Sequence, residues 1–123
     1  MIKEHIMKSK YPKILSETIS EAKAKLTLLV ADNVLYFDGH FAHFPLLPGV
    51  TQIDWAVFYG QSNLNAGSDF QGMDVVKFQE PITPNSQVIL NLEWQQDKQK
   101  LLFRYSSEKG VHSSGKITLG NVK

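Results

Sequence analysis

Leu26, Leu28 and Val30 alternate with Thr27 and Leu29, within an extended pattern that begins near Ile14. Period-two alternation of this kind predicts a half-buried strand. A turn signal, Asp32-Asn33, separates it from a second extended run, Val34-Leu35-Tyr36-Phe37. Pro45 to Gly60 reads differently. From Val50 to Tyr59 there is neither Gly nor Pro, and apolar residues fall on nearly every side, which predicts a buried helix starting at Pro48-Gly49. Gly60, or the stretch from Asn63 to Gly67, is expected to end it. Strands resume after Gly72 with Val75, Val76 and Phe78, then break at Pro81-Ile82-Thr83-Pro84-Asn85. Val88, Leu90, Leu92 and Trp94 alternate with Gln87, Ile89, Asn91 and Glu93, and turn signals at Asp97-Lys98 and Glu108-Lys109-Gly110 bracket Leu101–Tyr105. Val111 to Leu119 closes the set. Strands, one helix, then a meander of strands describe an α+β fold, an antiparallel sheet wrapped around one long buried helix.

Composition narrows the class. The 123 residues suit a single domain spanning 1–123, with the polar, lysine-rich first ten expected as a mobile segment or short helix. Hydrophobic residues at 42% and charged residues at 20% match a soluble globular protein, so a disordered or fibrous chain is not expected. There is no cysteine, which excludes disulfides, thiolate metal sites and a cysteine nucleophile. No apolar run approaches the ~20 residues of a membrane span, and no secretory signal opens the chain, so a cytoplasmic location is expected. Lys and Arg are absent from Leu26 to Val76, where Asp32, Asp38, Asp54, Asp69 and Asp74 all fall. Basic residues gather at both ends, an arrangement suited to an acidic partner. No basic stripe interleaved with aromatics appears, so nucleic acid is not an expected partner.

The chemistry gathers in Gly39-His40-Phe41-Ala42-His43-Phe44-Pro45-Leu46-Leu47-Pro48-Gly49-Val50-Thr51-Gln52-Ile53-Asp54. It sets a histidine after a strand, then a proline-braced loop, then a helix carrying one carboxylate. Gly49 allows close approach of a ligand, and its N–H is one of the unpaired donors of the helix start. A thioester carbonyl accepting that N–H would also feel the positive end of the helix. Asp54 has apolar neighbours one turn away on either side, and is expected to be desolvated, with a raised pKa suited to a general acid. His-x-x-His, His40 and His43 beside Asp38, is too sparse to make a metal site, and none is expected. Trp55 and Trp94 are read as core or subunit surface rather than a binding platform.

The segment resembles the signature of the 3-hydroxyacyl-(acyl carrier protein) dehydratases: Gly-His-Phe-Pro, a short loop, Pro-Gly, then a helix with Glu or Asp. Gly39, His40, Phe41, Pro45, Pro48 and Gly49 stand in register, and Asp54 lies 14 residues after His40. Lys77-Phe78-Gln79-Glu80-Pro81 is similar to the family's later strand. The resemblance implies a hotdog fold and a dimer whose active sites lie between subunits, as a homodimer or with a second hotdog subunit. It implies that His40 removes the C2 proton, Asp54 protonates the departing C3 hydroxyl and the Gly49 N–H holds the thioester oxygen. Phe41, Phe44, Pro48, Val50 and Phe58 would line the acyl channel. The substrate would ride on the phosphopantetheine of an acyl carrier protein, with no cofactor beyond that arm, and Lys77, Lys98, Lys100 and Arg104 are candidate docking points for the carrier.

Two positions depart from the signature: Ala42 stands where proline usually follows His-Phe, and Phe58 stands four residues after the acid, where glutamine is common. Ile53-Asp54-Trp55-Ala56 after Leu-Pro-Gly-Val is most similar to the small dehydratases of aryl polyene biosynthesis. The competing readings are a hotdog thioesterase, with the helix acid directing water at the carbonyl, and a non-catalytic subunit of a heterodimer.

Overall fold

The computed structural model describes residues 10–31 and 46–120. Within them the elements run β1 (Lys13–Ile19), β2 (Lys23–Val30), α1 (Gly49–Leu64), β3 (Asp69–Phe78), β4 (Ser86–Gln95), β5 (Lys100–Ser107) and β6 (Gly110–Gly120). The strand expected at Val34–Phe37 lies outside the described residues, as do most of the N-terminal segment and His40, Phe41, His43 and Phe44.

All six strands join one antiparallel sheet in the order β1-β2-β4-β5-β6-β3. The alternation in the sequence becomes two distinct faces. Leu26, Leu28 and Val30 of β2 point inward and are fully buried, with Val88 and Leu90 of β4, Leu101 and Tyr105 of β5, and Ile117 and Leu119 of β6. α1 lies against this face, over β2, β4 and β5. The result is the hotdog arrangement, a curled antiparallel sheet around one helix.

Of the two expected ends of the helix, the stretch from Asn63 to Gly67 is the one observed. Gly60 lies within the helix, and a Cβ there would fall 2.7 Å from Leu101 Cδ2, so the glycine lets the helix settle onto β5. The stop comes at Asn65, which takes the left-handed conformation at φ 57° while the Ala66 N–H returns to the Gly60 carbonyl at 3.3 Å.

The helix is also not buried all round, as its composition had suggested. Thr51, Gln52, Trp55, Ala56, Tyr59, Gly60 and Leu64 face the sheet and are buried. Val50, Asp54 and Phe58 form the opposite stripe and are exposed. An apolar residue on a helix is driven to a partner only where one exists, and this chain supplies a sheet to one side. The edge strand β3 shares the pattern, with Phe70, Met73, Val75 and Phe78 exposed.

Candidate active site

The start of α1 is built from its loop outward. Pro48 is the N-cap at φ −60° and ψ 146°, values its ring favours, and its side chain offers no cap. Its carbonyl accepts the N–H groups of Thr51 at 3.1 Å and Gln52 at 3.2 Å. The Gly49 and Val50 N–H groups precede those bonds and point out of the helix start. The Leu47 N–H donates to the Ile82 carbonyl at 2.8 Å, which ties this loop to the β3–β4 connection. No acidic side chain sits in the first turn to compete for the donors.

Gly49 is small for a reason the sequence does not reveal. The ring of Phe78 lies where a side chain would go, with its Cζ 2.7 Å from an ideal Cβ. The glycine thus lets the Phe78 ring lie close against the helix start, where a side chain would displace that half-exposed ring.

Asp54 lies one turn further on, in the exposed stripe with Val50 and Phe58. This corrects the expectation that its own chain desolvates it. Its apolar neighbours Val50 and Phe58 are themselves 74% and 39% exposed, so the carboxylate keeps its water. Phe58 does not stand alone: it stacks on Tyr11 with ring centroids 4.4 Å apart, and Tyr59 meets it edge-on at 5.1 Å. Trp55 Nε1 donates to the Lys10 carbonyl at 2.9 Å, so residues Lys10 and Tyr11 run along the helix. Burial, reinforced by Tyr11, pushes the Tyr59 hydroxyl up to about 12.

His40, Phe41 and Phe44 lie outside the described residues, whereas Gly49, Asp54, Pro48, Val50 and Phe58 are brought together at one end and one side of α1. No cluster of His, Cys, Asp or Glu with metal-binding geometry occurs among the described residues.

Three polar residues that sequence reasoning passed over sit beneath this end. Gln52 accepts the Ser113 hydroxyl at its Oε1 at 2.6 Å and donates from Nε2 to the Leu47 carbonyl at 3.2 Å. The Tyr105 hydroxyl donates to the Gln52 backbone carbonyl at 2.7 Å. Burial first, then the negative charges of Tyr59 and Asp54, hold Tyr105 well above the usual tyrosine range. Gln52 carried a signal: it is a polar residue set among apolar ones in a helix. His112 is likewise buried. The Glu80 carbonyl can only accept, so Nδ1 carries a proton toward it, and Nε2 meets the Ser107 hydroxyl at 2.7 Å.

The four candidate docking cations separate. Lys100 is engaged by Asp74 and Thr118, each at 2.6 Å, and Lys98 lies in the β4–β5 turn. Lys77 and Arg104 share one line across the outer face, where register links Lys25, Asn91, Arg104, Ser114 and Lys77 in turn. An open trough of about 690 Å³ runs along it.

The sequence profile of the ApeI-like family, described as ApeI dehydratase, matches residues 16–116, which include the whole Gly39–Asp54 segment. The chain belongs to the ApeI-like dehydratase family. The structure of the dehydratase heterocomplex ApeI:P from Xenorhabdus doucetiae is similar to this ApeI-like dehydratase, with a TM-score of 0.82 and 36% identity, over 87% of this chain and 96% of that one. A 3-hydroxyacyl-[acyl-carrier-protein] dehydratase, FabZ, of Koribacter versatilis is 28% identical over 114 residues, 80% of this chain and 73% of the relative. The (R)-hydratase from A. caviae shares the fold, with a TM-score of 0.57 and 19% identity.

Proposed function

We propose that this ApeI-like dehydratase eliminates water from a 3-hydroxyacyl thioester carried on an acyl carrier protein, giving the trans-2-enoyl thioester for fatty acid or aryl polyene biosynthesis. The observation that carries the reading is a single carboxylate, Asp54, displayed one turn beyond a helix start whose leading N–H groups are directed outward. Elimination needs a base at C2, an acid at the C3 hydroxyl and a donor for the enolate-like oxygen. His40 takes the C2 proton, the C2–H electrons form the C2=C3 bond, and the C3–O bond breaks as the Asp54 carboxyl gives its proton to the departing hydroxyl, which leaves as water. The Gly49 N–H receives the charge that builds on the thioester oxygen. The reaction uses no cofactor of its own and no metal.

The exposed Val50, Asp54 and Phe58 and the exposed apolar residues of β3 support assembly with a second hotdog subunit, identical or different. In that dimer the partner covers the stripe and desolvates Asp54, the step its own chain leaves undone. Phe41, Phe44, Pro48, Val50 and Phe58 then line the acyl channel. Lys25, Arg104 and Lys77 form the docking line for the acidic carrier, and the location is cytoplasmic. No helix among the described residues is long and apolar enough to cross a membrane.

The test is a 3-hydroxyacyl carrier-protein thioester incubated with the purified protein and followed by mass. Loss of 18 mass units, the mass of water, that disappears in His40→Ala and Asp54→Asn is the expected result. Free acid without the enoyl product would instead assign a thioesterase. Turnover only after a second hotdog protein is added would assign a heterodimer, a reading favoured by the relative whose structure is a dehydratase heterocomplex.

A further inference from the structure

Tyr105, Ser113 and Phe78 are consecutive members of one inner register row, paired across β5, β6 and β3. All three meet the first turn of α1. Tyr105 binds the Gln52 carbonyl, Ser113 binds the Gln52 side chain, and the Phe78 ring lies on Gly49. We infer that Gln52 is a positioning residue for the dehydration, locking the helix start onto this row so that the Gly49 N–H and the Asp54 carboxylate face the substrate at a fixed height and rotation. The inference rests on the dehydratase reading of those two residues.

The chemistry of the position argues for more than filling space. A leucine or methionine would occupy a similar volume in this buried seat without an amide to satisfy. The glutamine instead makes two side-chain hydrogen bonds of its own, to Ser113 and to Leu47, while its carbonyl takes a third from Tyr105. Apolar packing is non-directional and tolerates small slides, whereas a network of this kind admits one geometry. The Nε2 bond to Leu47 also fixes the loop that delivers Pro48, since the same residue's N–H is held by Ile82. Gln52 cannot itself touch the substrate. It precedes Asp54 by two residues, about 200° around the helix, and lies on the side turned to the sheet. Its influence passes through the backbone of the first turn. Placement errors near 1 Å are enough to lower turnover by about a hundredfold.

The experiment uses the full-length protein in its active assembly and a short 3-hydroxyacyl N-acetylcysteamine thioester, which avoids carrier docking. Gln52→Leu is expected to lower kcat by about ten- to a hundredfold with KM within about twofold. Ser113→Ala, which deletes one hydroxyl from the same network, should lower kcat several-fold, and the double variant should fall no further than Gln52→Leu alone. Ile117→Val, a fully buried substitution remote from the helix start, is the stability control. It should lose a few degrees of Tm, about what Ser113→Ala loses, at unchanged kcat. Hydrogen exchange at Thr51 and Leu47, whose N–H groups are held by the Pro48 and Ile82 carbonyls, should accelerate in both network variants and not in Ile117→Val. If Gln52→Leu does not fold, Ser113→Ala decides. Wild-type kcat in Ser113→Ala, or a raised KM at constant kcat in either variant, overturns the positioning role. Retained turnover in Asp54→Asn would instead overturn the dehydratase reading beneath it.

Discussion

The two sides of α1 differ in what the rest of the chain does for them. The sheet-facing side, Gln52, Trp55, Ala56, Tyr59 and Gly60, is fully committed: apolar groups are packed, and Gln52 and Trp55 both have hydrogen-bond partners. The opposite stripe, Val50, Asp54 and Phe58, faces away from the sheet and holds the carboxylate to which the chemistry is assigned. One side makes the fold and the other is left for a substrate and a second subunit. A single helix can do both because residues two apart in sequence lie on nearly opposite sides. The lesson is that stability and reactivity are separable here to within one helical turn.

That separation can be attacked from both sides. The largest expected effect is on activity. Asp54→Asn should lower kcat by about 10²- to 10⁴-fold, while the chemical-denaturation midpoint of the single subunit moves little, because on its own chain the side chain is exposed and such a change costs less than about 0.5 kcal/mol. A large loss of stability would mean that Asp54 belongs to the packed side after all. Trp55→Ala is the mirror experiment. It removes a fully buried ring and its bond to the Lys10 carbonyl, and should lower unfolding free energy by about 3–5 kcal/mol. Equilibrium urea unfolding measures it, and a loss below about 1 kcal/mol would contradict the core assignment.

A smaller effect should appear only in alkali. Tyr59 is pushed up to about 12 in the folded chain, against about 10 when unfolded. The folded state therefore holds its proton more tightly. The associated stability is fully present below about pH 10 and is lost as pH rises toward about 12. Unfolding midpoints measured across that window should fall for the wild type and fall less steeply for Tyr59→Phe. The smallest effect belongs to the surface. Lys100→Ala breaks a half-exposed ion pair with Asp74 and should cost less than about 1 kcal/mol. It should leave KM for a carrier-bound substrate unchanged, whereas Arg104→Glu with Lys77→Glu should raise it and spare short thioesters. Equal effects on both substrates would remove the docking line from the outer face.

Much of the architecture is legible in the amino-acid sequence. The alternation through Leu26–Val30 and Val88–Trp94 predicted β2 and β4, and the turn signals at Asp97-Lys98 and Glu108-Lys109 fell between the right strands. Period two survives folding because both sheet faces are read directly from the chain. The helix was found, and of its two expected ends the stretch from Asn63 to Gly67 holds the real one; Gly60, a breaker by propensity, is an aid to packing in this context. The burial of the helix was overestimated for a related reason. Composition counts apolar residues around a helix, but it does not count the partners available to cover them. The docking cations show the same limit: Lys100 and Arg104 look alike in sequence, and only register reveals that Lys100 is already engaged by Asp74.

What the sequence determined by itself is therefore local and periodic: strand faces, the Pro48-Gly49 helix start, and the spacing of Asp54 from His40. Each depends on neighbouring residues and on backbone preferences carried by the residues themselves. Only the tertiary structure decided which side of the helix is covered, that the Phe78 ring lies against Gly49, and that Gln52, Tyr105 and Ser113 join beneath the candidate site. Those outcomes depend on pairing between strands far apart in the chain, where one shift of register would turn Ser113 to the opposite face.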